Sequence, residues 1–150
     1  MQMVGHRFRM LSLATAALAT VACILAPFLP FNEETEVVQV EAAEGWQSTG
    51  IRVRAGDHLT IRYISGEWSP WPGGSYAAAG SGGDPLCRCN VMEAVSHAAL
   101  IGRIGSADPF LVAREYNHTV GESGTLLLRI NDVDLYDNSG ELEVLVELRR

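Results

Sequence analysis

Most of the chemistry this chain can offer lies in one segment, Asn131-Asp132-Val133-Asp134-Leu135-Tyr136-Asp137-Asn138-Ser139-Gly140. Asp132, Asp134 and Asp137 bring three carboxylates, and Asn138 an amide oxygen, within seven residues. Oxygen donors at that density suit Ca2+, a hard cation that takes roughly six to eight oxygen ligands from carboxylates, amides and carbonyls. The segment has no Cys or His, which disfavours a transition metal. It is not an EF-hand, because the order of ligands differs and no Glu closes the loop. Gly140 supplies a permissive residue where the chain re-enters a strand. The competing interpretation is a solvated turn, since Asp and Asn also favour turns for local backbone reasons.

The elements that would position this loop read as strands. Leu126, Leu128 and Ile130 alternate with Leu127 and Arg129 before it, and Leu142, Val144, Val146 and Leu148 alternate with Glu141, Glu143, Leu145 and Glu147 after it. Ile51 and Val53, a turn at Ala55-Gly56-Asp57-His58, then Leu59, Ile61 and Tyr63 read as a hairpin. Val38 and Val40, Ala99-Leu100-Ile101 and Phe110-Leu111-Val112 add further strands, and residues 91–97 have room for one helical turn. Fifteen Gly and six Pro supply the turns that so many short strands need. The expected fold is all-β, a two-sheet antiparallel sandwich of jelly-roll type. Ser69 to Asp84 is a Gly-, Pro- and Ser-rich loop, long enough to expect a function, with Trp71 and Tyr76 near its start.

Ahead of this domain, His6, Arg7 and Arg9 precede a run without charge from Leu11 to Phe31, followed at once by Glu33, Glu34 and Glu36. A basic start and an apolar run make residues 1–31 a signal peptide or an N-terminal membrane anchor, with 32–150 exported. The run is near the length that spans a bilayer, so the choice between the two stays open. All eleven basic residues are Arg, and two of them lie in the leader, whereas all eighteen acidic residues follow it. An exported part so acidic excludes nucleic acid as a partner, because phosphate binding needs clustered cations. It remains compatible with cations and neutral polar ligands.

The exported part resembles the bacterial calcium-dependent galactose-binding lectins of the PA-I type. Three blocks carry the resemblance: Gly45-Trp46-Gln47-Ser48-Thr49-Gly50 running on to Ala55-Gly56-Asp57, Leu59-Thr60-Ile61 and Gly66-Glu67-Trp68; Ala99-Leu100-Ile101-Gly102-Arg103-Ile104-Gly105; and Asn131-Asp132 with Asp137-Asn138-Ser139-Gly140. The resemblance implies that Asp132, Asp137 and Asn138 hold Ca2+ through side-chain oxygens. It also implies carbonyl ligands from Leu135 or Asp134 and from Trp71, and a ligand surface of Asp132, Val133, Asp137, Trp71 and Tyr76. A carbohydrate, at its most specific a galactose-like sugar, is the implied partner. The chain departs from the pattern in three ways: the metal loop is two residues shorter, the Thr that touches galactose has no counterpart, and the His and Gln of the second pocket wall have no match in Gly80 to Cys89. The residues that would read galactose are therefore missing.

The remaining residues stay close to ordinary roles. Trp46 and Trp68 read as packing, His58 as an exposed turn residue, and Asn117-His118-Thr119 as a glycosylation sequon. Cys87 and Cys89 leave a strained internal bridge, a bridge to another chain and free thiols all open. A zinc site would need more ligands than these cysteines and His97. No nucleophile motif is present, so an enzyme is not expected. The expected function is an exported calcium-dependent carbohydrate-binding module, secreted or tethered through residues 11–31, with a homo-oligomer left open. The alternative is a calcium-stabilised structural or protein-interaction domain that binds no sugar.

Overall fold

A computed structural model describes residues 32–82 and 88–150. The signal-or-anchor segment 1–31, Cys87 and the end of the long loop at Asp84 lie outside the described residues.

Eight strands form two sheets: β1 (Glu33–Glu41), β2 (Gln47–Val53), β3 (His58–Ser69), β4 (Leu100–Ile104), β5 (Phe110–Leu111), β6 (Glu115–Thr119), β7 (Gly124–Ile130) and β8 (Ser139–Arg149). One sheet has the order β1-β8-β3-β6 and the other β2-β7-β4-β5, and every pairing is antiparallel. The described residues thus form the expected β-sandwich. The alternation read from the sequence decides which residues enter it. Leu142, Val144, Val146 and Leu148 on β8, Leu59 and Ile61 on β3, and Leu126, Leu128 and Ile130 on β7 are fully buried in one core. Burial of a side chain of this size stabilises by about 1.5–3 kcal/mol.

Two expectations are corrected, and one strand is added. The Ile51–Tyr63 segment is not a hairpin: β2 pairs with β7, whereas β3 pairs with β6 and β8. Ile51, Val53, Leu59 and Ile61 all enter the core from opposing sheets. A period of two gives the buried face of each strand but not its neighbour, so a sandwich corner looks like a hairpin in sequence. Residues 91–97 form turns, not a helical turn. Glu115–Thr119 is a strand although it lacks an apolar alternation, because it is an edge strand with mostly exposed side chains.

The register places the loops. Glu41 pairs with Glu141 and Ser69 with Ser139, so β1 and β3 end where β8 begins. Leu100 pairs with Ile130, so β4 begins where β7 ends. The 131–138 loop, the β1–β2 loop, the start of the segment after Ser69 and the residues just before Leu100 therefore emerge at the same end of the sandwich.

Candidate functional site

Asn131 fixes the root of the 131–138 loop. Its side chain is fully buried, accepts from the Met92 N–H at 2.8 Å, and donates to the carbonyls of Met92, Val95 and Ser96 at 3.2, 3.2 and 3.1 Å. One amide thus staples the 92–96 turn to the end of β7. The Val133 N–H adds a bond to the Cys89 carbonyl at 2.8 Å. Beyond it, the Asp134 N–H donates to Asp132 Oδ1 at 3.0 Å and the Tyr136 N–H to Asp134 Oδ1 at 3.1 Å. These are two successive Asx turns, the local chemistry that makes Asp frequent in loops. Asp134 spends its side chain on that turn.

Asp132 is 2% exposed, and burial pushes its carboxyl above the usual carboxylate range. The Asp134 N–H, the charge of His97 and the amide of Asn138 oppose that rise, while the neighbouring Asp137 carboxylate adds to it. His97 Nε2 lies 3.8 Å from Asp132 Oδ2. Asn138 is buried too, and its Nδ2 donates to the Ala42 carbonyl at 3.2 Å. Its Oδ1 is buried and has no donor among the described residues. Buried polar atoms nearly always find a partner, so an orphaned oxygen on the amide that contacts a desolvated carboxylate needs an explanation. A hard cation would satisfy both oxygens, and in that respect the residues fit Ca2+. Among the described residues no three His, Cys, Asp or Glu side chains converge on one point. A cation here would therefore draw much of its shell from neutral oxygens.

The other expected site residues are distributed around this pair. Asp137 is exposed, and Val133 is 55% exposed. Leu135 is half-buried, packs against the core, and its carbonyl accepts from the Asn138 N–H at 3.4 Å. Trp71 lies flat on the His97 ring, with centroids 5.5 Å apart and planes 8° apart, and meets Tyr76 edge-on at 5.4 Å. The chain of contacts Tyr76–Trp71–His97–Asp132 thus joins the long loop to the acidic loop. The Trp71 carbonyl, however, already accepts from the Gly74 N–H at 3.0 Å and from the Ser69 hydroxyl. Coordination by that carbonyl would require one of these donors to move.

His97, Asn90 and Asn131 are the residues that sequence reasoning missed as site builders. Their weak signal was position, just before β4 or at the end of β7; only the tertiary fold brings them together. Trp68 is core, as expected, 1% exposed with its indole N–H on the Ala98 carbonyl at 2.8 Å. Trp46 packs half-buried on the outer face of the second sheet. Cys89, the only cysteine among the described residues, is disulfide-bonded.

The eight-stranded sandwich is similar to a known lectin domain. A solved structure described as "EclA N-terminal domain; PllA-like lectin" superposes with a TM-score of 0.60 at 25% identity, covering 76% of this chain and 95% of that one. No family model matches the chain. No curated protein matches it either.

Proposed function

We propose that this chain is an exported, calcium-dependent carbohydrate-binding module rather than an enzyme. The observation that carries the proposal is the buried Oδ1 of Asn138, without a donor among the described residues, on the amide that contacts the desolvated carboxylate of Asp132. The likeness to a domain described as a lectin supports the carbohydrate half. In this proposal Asp132, Asp137 and Asn138 offer side-chain oxygens to Ca2+, with the carbonyls of Leu135 and Trp71 as further ligands. Bound there, the ion would supply open positions for two neighbouring sugar hydroxyls. Asp132 and Asp137 would accept the hydroxyl protons, and Val133, Trp71 and Tyr76 would border the sugar. Export rests on the basic start and apolar run of the leader, with secretion and a tether through residues 11–31 as its two forms.

A calcium titration followed by a sugar panel tests this, read as a shift in melting temperature. Calcium should raise the midpoint, EDTA should reverse the rise, and a monosaccharide should raise it further only when calcium is present. Sugar binding that ignores the chelator would overturn the proposal. The doubly bonded Trp71 carbonyl favours a second reading, in which calcium pins the loop of a structural or protein-interaction domain. Stabilisation by calcium with no response to any sugar would select that one.

A further inference from the structure

On the outer face of the second sheet, Arg103 of β4 and Arg129 of β7 converge on Trp46. The Arg103 guanidinium lies 4.4 Å from the indole centroid and that of Arg129 5.5 Å from it. The register explains the meeting: Ile101 pairs with Arg129 and Arg103 with Leu127, so the two arginines are diagonal neighbours on adjacent strands. Gln47 pairs with Leu128, which brings Trp46 alongside Arg129.

The two cations are treated differently. Arg129 is 9% exposed and anchored, its Nε donating to the Ile130 carbonyl at 3.0 Å and its Nη2 to the Asp132 carbonyl. Burial lowers its pKa, the nearby Asp132 carboxylate opposes that, and the like charge of Arg103 lowers it further. Among the described residues Arg103 rests on the indole with no hydrogen bond or ion pair, and its Nε is buried without an acceptor. Five donors in a rigid fork, held beside a second guanidinium, form a positive site in a domain that is otherwise strongly acidic.

We propose that Arg103 and Arg129, set on Trp46, form an oxyanion site that takes the carboxylate or sulfate ester of an acidic saccharide. An oxyanion held by the Nη groups of Arg103 would offset the like charge of the two guanidinium groups, and the guanidinium fork matches such groups two bonds at a time. Trp46 holds the fork in place, so little side-chain freedom is lost on binding. Through Arg129 the site shares a residue with the acidic loop, whose Asp132 carbonyl that guanidinium holds. One saccharide could therefore reach both. The saccharide part rests on the proposed carbohydrate function; the oxyanion part does not.

The experiment compares galactose, galacturonate and galactose 6-sulfate by calorimetry in calcium at low salt, for the wild-type chain, Arg103→Gln and Arg103→Lys. At least one charged sugar should bind about tenfold tighter than galactose, the return expected from one charge-assisted contact of about 1.4 kcal/mol. The preference should shrink with added salt. Arg103→Gln should bring the charged sugars down to the level of galactose, and Arg103→Lys, which keeps charge but loses the fork, should retain part of the preference. Which charged sugar leads distinguishes carboxylate from sulfate. Absence of a preference, or a preference that survives Arg103→Gln, overturns the site. If no sugar binds at all, the carbohydrate function fails and millimolar sulfate decides the oxyanion site alone. Stabilisation of the wild-type chain but not of folded Arg103→Gln supports it, and equal stabilisation of both overturns it.

Discussion

The imidazole of His97 faces Asp132 with Nε2 3.8 Å from Oδ2, while its ring plane lies against Trp71. Its other nitrogen has a fixed role. Asn90 Nδ2 donates to the Val95 carbonyl at 3.3 Å, which leaves Asn90 Oδ1 to accept from His97 Nδ1 at 2.8 Å. Nδ1 therefore carries a hydrogen, and Nε2 meets Asp132 either as a second donor or as a bare acceptor. Two facing acceptors are favourable only when a proton or a cation lies with one of them. Burial of the Asp132 carboxylate carries a cost in the metal-free protein that a bound cation would offset.

Asp132→Asn tests that cost. The variant keeps an oxygen to accept the Asp134 N–H but removes a charge that burial disfavours. In the metal-free protein it should melt a few degrees higher, the response to a gain of about 1 kcal/mol. The raised pKa fixes the pH dependence. The folded state binds the Asp132 proton more tightly than the unfolded state, so this contribution is fully present below the ordinary carboxylate range and is lost as pH rises through the raised folded value. The gap between variant and wild type should accordingly be small in acid and widen towards neutral pH. Calcium should stabilise the wild-type chain less as pH falls through the same window, and the variant hardly at all. A gap in melting temperature that does not change with pH would refute the assignment.

Asn131→Asp should do the opposite one residue away. Its amide nitrogen donates to three carbonyls, so a carboxylate oxygen there would face three acceptors in a fully buried position. A loss of about 3 kcal/mol is expected, from donors removed and a buried charge left unpaired. Urea unfolding measures it. An unchanged midpoint would mean that Asn131 does not hold the 92–96 turn.

The contrast between these neighbours shows what the sequence could reveal. The donor types at Asp132, Asp137 and Asn138 are visible because ligand chemistry is local, and so are the faces of β7 and β8. The partner of β2 is not, since Ile51 and Val53 alternate identically whether they pair with β3 or cross to β7. Nor is the work of Asn131, His97 and Asn90, whose partners lie up to 39 residues away in the chain. The Arg103–Trp46–Arg129 cluster is hidden for the same reason. Arg129 reads only as an outward position, and Arg103 only as part of a sequence block, until the β4–β7 register places them side by side.

Trp68→Phe probes the floor beneath the site. The indole is buried in the core and donates to the carbonyl of Ala98, a residue held at φ +60°. Phenylalanine leaves that carbonyl unsatisfied and a space where the second ring stood, which should cost about 2–3 kcal/mol. Because Ala98 follows His97, the loss should also weaken any calcium-induced stabilisation. A Trp68→Phe protein as stable as wild type in urea would contradict the bond.

Gly140→Ala separates backbone strain from steric fit where the acidic loop becomes β8. Gly140 sits at φ +86°, and a Cβ there would come within 2.5 Å of the Glu67 carbonyl oxygen and 3.0 Å of Trp68 Cα. Gly50 provides the control, with φ +80° and no atom within 4 Å of a Cβ. Gly50→Ala should pay the conformational term alone, about 1 kcal/mol. Gly140→Ala must in addition push β3 and β8 apart at the Trp68–Gly140 pair, so its loss should exceed that of Gly50→Ala by about 1–3 kcal/mol. Only Gly140→Ala should also reduce calcium-induced stabilisation, because the strand it displaces begins directly after Asn138. Equal losses in the two variants would show that β8 yields without cost, and that its close approach to β3 does not hold the loop in place.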